Sequence, residues 1–196
     1  MSSTQCIYNK KLSLEEARVV YIGRAHRDFP SNELKPFSMI ENLHNNGCYE
    51  CYGFYRQEDD KLCAYAFMMA DTDINMLLLD YFAVCEELRG NGYGAMVLRM
   101  LKQDFTTWDG IIFEVEDDDT AESEEEALIR RGRIAFYEKS GVVMTKERSH
   151  AFGVDYKLMV MNLADKAAGE QIGNKITSVY KKMLPEKVFQ EMFRLR

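Results

Sequence analysis

No stretch of this sequence approaches the roughly 20 apolar residues needed to span a bilayer. The longest apolar runs, residues 75–84 and 152–163, have the length of strands. The start, Met1-Ser2-Ser3-Thr4-Gln5, lacks the charged-then-apolar layout of an export signal. Together these absences predict a soluble cytoplasmic protein with no membrane partner. Proline is scarce, three in the chain, and no repeat, low-complexity tract or Pro/Gly/Ser linker divides it. Positive charge is short as well: 25 Lys and Arg face 32 Asp and Glu, a net charge of −7. A broad nucleic-acid surface needs a basic face, so no nucleic-acid partner is expected. A cationic substrate stays compatible, because a local acidic patch favours one.

An even set of cysteines is missing too. Five thiols in a chain without an export signal read as reduced. Cys48 and Cys51 form a C-x-x-C just after His44, but residues 48–55 read as a strand. Side chains three apart on a strand point to opposite faces, and no second ligand pair follows at zinc spacing. No metal is expected.

Apolar material, by contrast, is plentiful: 46% hydrophobic and 12% aromatic residues rule out disorder as the global state. The 196 residues suit one domain with a small terminal addition. A helix opens at Ser13, whose capping box with Glu16 precedes helical apolar spacing to about residue 25. A second short helix, residues 36–46, stops at Gly47. Residues 48–56 and 62–70 flank a polar turn and read as a hairpin. Residues 76–84 form a third strand, apolar on both faces. A helix over 92–104, a strand over 110–116 and a helix over 127–140 follow. Residues 142–146 and 152–163 read as a closing antiparallel pair. These elements predict an α+β (mixed α/β) domain over residues 1–163, built on one sheet flanked by helices. Residues 164–196 read as a helical extension broken at Pro185. Its apolar stripe, Ile172, Ile176, Val179, Tyr180 and Met183, packs on the domain or across a homodimer.

The most informative local pattern is Arg89-Gly90-Asn91-Gly92-Tyr93-Gly94-Ala95, between the third strand and a helix. A turn that receives phosphates needs inward amides, no Cβ obstruction and a helix dipole behind it. A P-loop is excluded, since Ala95-Met96 stands where Lys-Ser or Lys-Thr is required. The dinucleotide pattern G-x-G-x-x-G/A is met by Gly90, Gly92 and Ala95. Yet a hairpin precedes the turn, and too little chain follows for a parallel βαβ series.

The run Val84-Cys85-Glu86-Glu87-Leu88-Arg89-Gly90-Asn91-Gly92-Tyr93-Gly94 resembles the signature of the GCN5-related N-acetyltransferases, V-x-P-E-x followed by R/Q-x-x-G-x-G/A. It departs in having Glu86 at the usual proline. Downstream, Ile112-Phe113-Glu114-Val115 resembles the family's L-E-V strand, and residues 133–142, with Phe136-Tyr137-Glu138-Lys139, resemble its F-Y-E-K-x-G-F helix end. The resemblance covers about residues 52–163.

It implies a GNAT-like fold with a mostly antiparallel, splayed sheet, and acyl transfer from acetyl-CoA to an amine of a small cationic molecule or a protein. The backbone of Phe82, Ala83 and Val84 would bond the pantetheine. The amides of Arg89, Gly90, Asn91, Gly92, Tyr93, Gly94 and Ala95 would cradle the pyrophosphate, with the Arg89 side chain adding charge. An ammonium must lose a proton before attack and the departing thiolate gains from one. Glu114 is the first choice of base, Asp80 the second, and Tyr137 matches the family's general acid. Each has a structural alternative: Glu114 pairing with an arginine such as Arg130, Asp80 holding a tyrosine hydroxyl, Tyr137 packing beside a core Phe136. The family's asparagine seven residues before the tyrosine is Arg130 here, and residues 116–126 form an acidic loop that either is solvated or steers a cation. The resemblance places the acceptor side at residues 24–46, including His26, Asp28, Phe29, Glu33 and His44. A non-catalytic acyl-CoA-binding protein of the same fold, and more distantly a Rossmann oxidoreductase, are the alternatives.

Overall fold

Ser13 starts the first helix as expected: its Oγ accepts the Glu16 amide, and Glu16 returns a carboxylate oxygen to the Ser13 amide. The computed structural model describes residues 6–31, 33–163 and 169–196. Residues 1–5 and 164–168, which carry the predicted leader-free start and the first residues of the extension, lie outside the described residues. The chain resolves into two units, Met1–Met68 with Asp80–Leu101, and Met69–Leu79 with Lys102–Arg196.

The first unit opens with β1 (Ile7–Lys11), a strand the sequence reading missed, antiparallel to β2 (Tyr49–Arg56). Helix α1 (Leu14–Val20) runs on through a π-helical turn, Tyr21–Ala25, into the short α2 (His26–Asp28). Helix α3 (Phe37–Asn45) ends before Gly47, whose φ of +72° suits glycine. The unit also holds most of β3 (Leu62–Asp71) and of helix α4 (Tyr93–Asp104), with the end of β4 (Met76–Val84). Its core is aromatic: Tyr21, Tyr49, Phe54, Tyr65 and Phe67 are fully buried, and Tyr21 stacks on Phe67 with centroids 6.2 Å apart.

In the second unit, β4 starts parallel to β5 (Gly110–Glu116), pairing Met76, Leu77 and Leu78 with Gly110, Ile111 and Ile112. β5 is antiparallel to β7 (Val154–Asn162), β7 to β6 (Val143–Ala151), and β6 to β8 (Phe193–Leu195). The strand order is β1-β2-β3-β4-β5-β7-β6-β8. A mostly antiparallel sheet removes the Rossmann alternative, which needs a parallel one. Helix α5 (Glu124–Lys139) begins three residues earlier than expected because Ser123 caps it, accepting from the Glu126 amide. The tail forms α6 (Ile172–Met183) and α7 (Glu186–Met192), then β8 instead of more helix. The predicted stripe Ile172, Ile176, Val179, Tyr180, Met183 is buried. Among the described residues no helix is long and apolar enough to cross a membrane.

Candidate functional site

The first unit carries the glycine turn. Phe82, Ala83 and Val84 close β4 half-buried. The chain then makes a single 3₁₀ turn, Glu86–Leu88, and reaches Gly90 and Gly92 with φ of +77° and +83°. Side-chain-bearing residues pay about 1–2 kcal/mol in that region, which explains the glycines. The space a Cβ would fill at either is empty of protein atoms. Asn91 fixes the turn by donating to the carbonyls of Leu88 (3.3 Å) and Arg89 (3.1 Å). Tyr93, 1% exposed, anchors the start of α4. The first turn of a helix has amides without intrahelical acceptors, here those of Tyr93, Gly94 and Ala95, and the helix dipole adds positive potential. Backbone geometry of this kind suits an anion. The Arg89 side chain is committed elsewhere: its guanidinium lies 2.5 Å from Asp28 Oδ1, and its Nε donates to the Val84 carbonyl at 3.1 Å. Tyr65 donates to the other Asp28 oxygen at 2.9 Å.

Asp80 lies in the same unit and does hold a tyrosine hydroxyl, that of Tyr49. It also forms an ion pair at 2.6 Å with Lys35, a residue the sequence reading passed over. The Asp80 and Lys35 side chains are 7% and 10% exposed, so this is a desolvated pair. Lys35 is gripped further: its amide donates to Tyr81 Oη (2.9 Å), its carbonyl accepts from Tyr21 (2.5 Å), and its ammonium stands 5.1 Å from the Tyr81 ring centroid. Of the other acceptor-side residues, the Glu33 carbonyl accepts from Tyr81 and the His26 ring sits edge-on to Tyr21. His44 Nδ1 is buried with no hydrogen-bond partner among the described residues.

Glu114 and Tyr137 lie in the second unit, on opposite faces of its sheet. Successive strand residues alternate, and Phe113 meets the Tyr137 ring of α5 at 5.0 Å. Glu114 faces the other way, where Ser149 donates to Oε1 and Tyr180 of α6 to Oε2, both at 2.7 Å. The register agrees, setting Glu114 opposite Leu158, Tyr156 opposite Ser149 and Ser149 opposite Leu195. Tyr137 is 9% exposed, and its hydroxyl has no hydrogen-bond partner among the described residues. Burial pushes its pKa up to about 12, against a smaller downward pull from Arg133, so it carries its proton at neutral pH. Phe136 is half-buried, less deep than expected, and tilts against Tyr137 at 5.2 Å.

Arg130 does not pair with Glu114. It bonds Glu126 (2.7 Å), Glu116 (3.4 Å) and the Asp117 carbonyl (2.6 Å), bracing the loop before α5. That acidic loop is largely neutralised: Arg133 also takes Glu116, Arg148 takes Asp117 and Asp119, Lys157 takes Asp117, Asp118 and Asp119, and Arg131 takes Glu124. The Asp117, Asp118 and Asp119 carboxylates converge closely enough for a cation, but Lys157 and Arg148 already supply it. A cleft of about 580 Å³ beside α5 is lined by Arg131, Glu138, Lys146, Arg148 and Lys157; neither Glu114 nor Tyr137 lines it. Cys51 is buried and Cys48 half-buried, both as free thiols.

The described strands form a mostly antiparallel sheet, and a glycine turn of positive φ leads from its fourth strand into a helix. The model of the Acetyltransferase (GNAT) family matches residues 18–142, and the chain belongs to that family. Among solved structures, a putative GNAT-family acetyltransferase from Bacteroides thetaiotaomicron is 17% identical, covering 88% of this chain and 96% of its own, with a TM-score of 0.67. The spermidine N-acetyltransferase of Vibrio cholerae, in complex with CoA and spermine, is 12% identical over 81% of this chain and 96% of its own, TM-score 0.60. The ribosomal-protein-S18-alanine N-acetyltransferase of Escherichia coli is 17% identical over 85% and 98%, TM-score 0.57. At such identities the likeness is one of fold. No curated protein sequence matches the chain.

Proposed function

We propose that this protein is an N-acetyltransferase that moves the acetyl group of acetyl-CoA to a primary amine, on a small cationic molecule or a protein. The observation that carries the reading is the glycine turn: positive φ at Gly90 and Gly92, open Cβ space, and the free amides opening α4. These suit a pyrophosphate, with the half-buried main chain of Phe82, Ala83 and Val84 available to the pantetheine. Residues 1–163 are proposed as the acyltransferase domain and residues 164–196 as its extension.

In the proposed reaction the neutral amine attacks the thioester carbonyl, the N–C bond forms, the C–S bond breaks, and the amine proton passes to a carboxylate. Tyr137 supplies the thiolate's proton; its hydroxyl is protonated and has no hydrogen-bond partner among the described residues. Glu114 is the proposed base; Asp80 is the second choice, because protonating it would strip Lys35 of its counter-ion. The acceptor amine is a proposal at the level of class; the family neighbours named for spermidine and for a ribosomal protein alanine bracket both options.

The test is calorimetric titration with CoA, then thiol release from acetyl-CoA across a panel of polyamines, amino acids and peptides. Binding and turnover support an enzyme. CoA binding with no thiol release in any panel member would support the non-catalytic alternative, and failure to bind CoA overturns the reading.

A further inference from the structure

Helix α6 lies wholly beyond the residues matched by the family model, which end at 142. It is pinned to the second unit by three carboxylates. At its start the Gly173 amide donates to Glu147 of β6 at 2.9 Å. Toward its end Ser178 donates to the fully buried Asp71 at 2.7 Å, and Lys182 pairs with the same carboxylate. Between these points Tyr180, 4% exposed, reaches Glu114.

The Tyr180 ring is itself immobilised. It stacks on Phe193 of β8 with centroids 4.3 Å apart, and Phe193 stacks on Phe189 of α7 at 5.5 Å. Helices α6 and α7 and strand β8 thus all contribute to placing one hydroxyl. Ser149 on β6 supplies the second donor, so each Glu114 oxygen has a separate O–H fixing its direction. A carboxylate oxygen accepts more than one hydrogen bond.

We propose that Tyr180, assisted by Ser149, is a positioning residue for Glu114, so that the C-terminal segment completes the base side of the reaction centre. The inference rests on the reading of Glu114 as the base. Two neutral donors favour the ionised carboxylate over the acid. Among the described residues, Glu116 on β5 is held by Arg130 and Arg133, Tyr156 on β7 stands opposite Glu116, and Glu147 on β6 holds the Gly173 amide. β8 presents only Phe193 and Leu195 to this face. None of these is altered by removing one hydroxyl.

The experiment is Tyr180→Phe and Ser149→Ala in the full chain. Tyr180→Phe keeps the ring stack, and a thermal melt reports whether the fold is intact. The acid limb of the kcat/KM profile is expected to move up by about one pH unit in Tyr180→Phe, since losing a hydrogen bond to a charged group is worth that much. Ser149→Ala is expected to move it in the same direction. In parallel, the Glu114 carboxylate is titrated by infrared difference spectroscopy against Glu114→Gln, a readout that needs no turnover, and the same upward shift is expected. An unmoved carboxylate titration in Tyr180→Phe overturns the proposal, as does a uniform loss of activity at all pH values with no shift of the limb. If the wild-type protein transfers no acetyl group, the proposed function fails, and the infrared titration still decides whether Tyr180 controls Glu114.

Discussion

Replacing Gly92 by alanine puts a number on the glycine turn. Its φ is +83°, and a Cβ there meets no protein atom within 4 Å, so no clash adds to the conformational term. That term is about 1–2 kcal/mol. If the turn keeps its shape, the whole amount appears as lost stability, and Tm falls by about 2–8 °C for a chain of this size. The new methyl group then stands in the open space proposed for the pyrophosphate. If the turn relaxes instead, the amides of Tyr93, Gly94 and Ala95 leave their alignment, and the same free energy appears as a CoA affinity weakened about 5- to 30-fold. Either way CoA binding weakens. Differential scanning calorimetry and isothermal titration with CoA, run on one preparation, separate the two routes. A Gly92→Ala protein that binds CoA with wild-type affinity would refute the cradle, whatever its Tm.

Gly132 is the internal contrast: it lies exposed within α5 with nothing near its Cβ position. Gly132→Ala should therefore raise stability by about 1 kcal/mol and leave the CoA dissociation constant unchanged, read by the same two instruments. Tyr137→Phe removes a hydroxyl with no protein partner among the described residues, so Tm should hold while kcat falls about 100-fold or more. A kcat within a factor of two of wild type would remove Tyr137 from the chemistry. Burial raises the pKa of Tyr21 and Tyr137 to about 12, and those of Tyr49, Tyr65 and Tyr81 further still. A raised folded-state value means stability is intact below the unfolded pKa of about 10 and is lost as pH climbs above it. The tyrosinate absorbance of these five buried residues should thus appear only together with unfolding by circular dichroism, above about pH 10; ionisation of all 11 tyrosines in a still-folded protein would contradict the burial argument. Finally, Ellman's reagent should find Cys6 and Cys48 in the native protein, and Cys51, Cys63 and Cys85 only after denaturation.

The elements whose signals are local were legible from sequence. β4 and β5 have the bounds predicted, because continuous apolar runs closed by turns leave little choice. β1 and β8 were missed for the opposite reason. Ile7-Tyr8-Asn9-Lys10-Lys11 has little apolar pattern and becomes a strand through its partners on β2, while Phe193-Arg194-Leu195 is defined by β6. Those are non-local contacts that no window of residues contains. The start of α5 was hidden by its own acidity: Glu124, Glu125 and Glu126 read as loop charge, although acids in a first turn suit the helix dipole. The glycine turn was found because positive φ selects a residue type. For Asp80 a tyrosine hydroxyl was foreseen, though not that it belongs to Tyr49, and the partners of Glu114 were not, because hydroxyls at the tips of buried rings leave no periodic trace. The alternative that Glu114 pairs with Arg130 fails because Arg130 is taken by Glu116 and Glu126.

The opposite faces taken by Glu114 and Tyr137 constrain what they can do together. A base and an acid acting on one acyl group must both lie within hydrogen-bond reach of it. Residues pointing to opposite sides of a strand satisfy that only for a group lying in the plane of the sheet, at the strand's edge. One edge of β5 is fully used, since β7 pairs with every residue from Gly110 to Glu116. On the other edge the described ladder with β4 ends at Ile112, one residue before Phe113 and two before Glu114. If both residues act as proposed, the thioester therefore belongs along β5 beyond Ile112, in the position of an added strand. The acceptor then approaches from the face of α6, and the thiol leaves toward α5. Infrared difference spectra of a bound thioester analogue test this directly: its carbonyl band should shift in Glu114→Gln and, independently, in Tyr137→Phe. A band moved by only one of the two substitutions would mean that they do not share an acyl group.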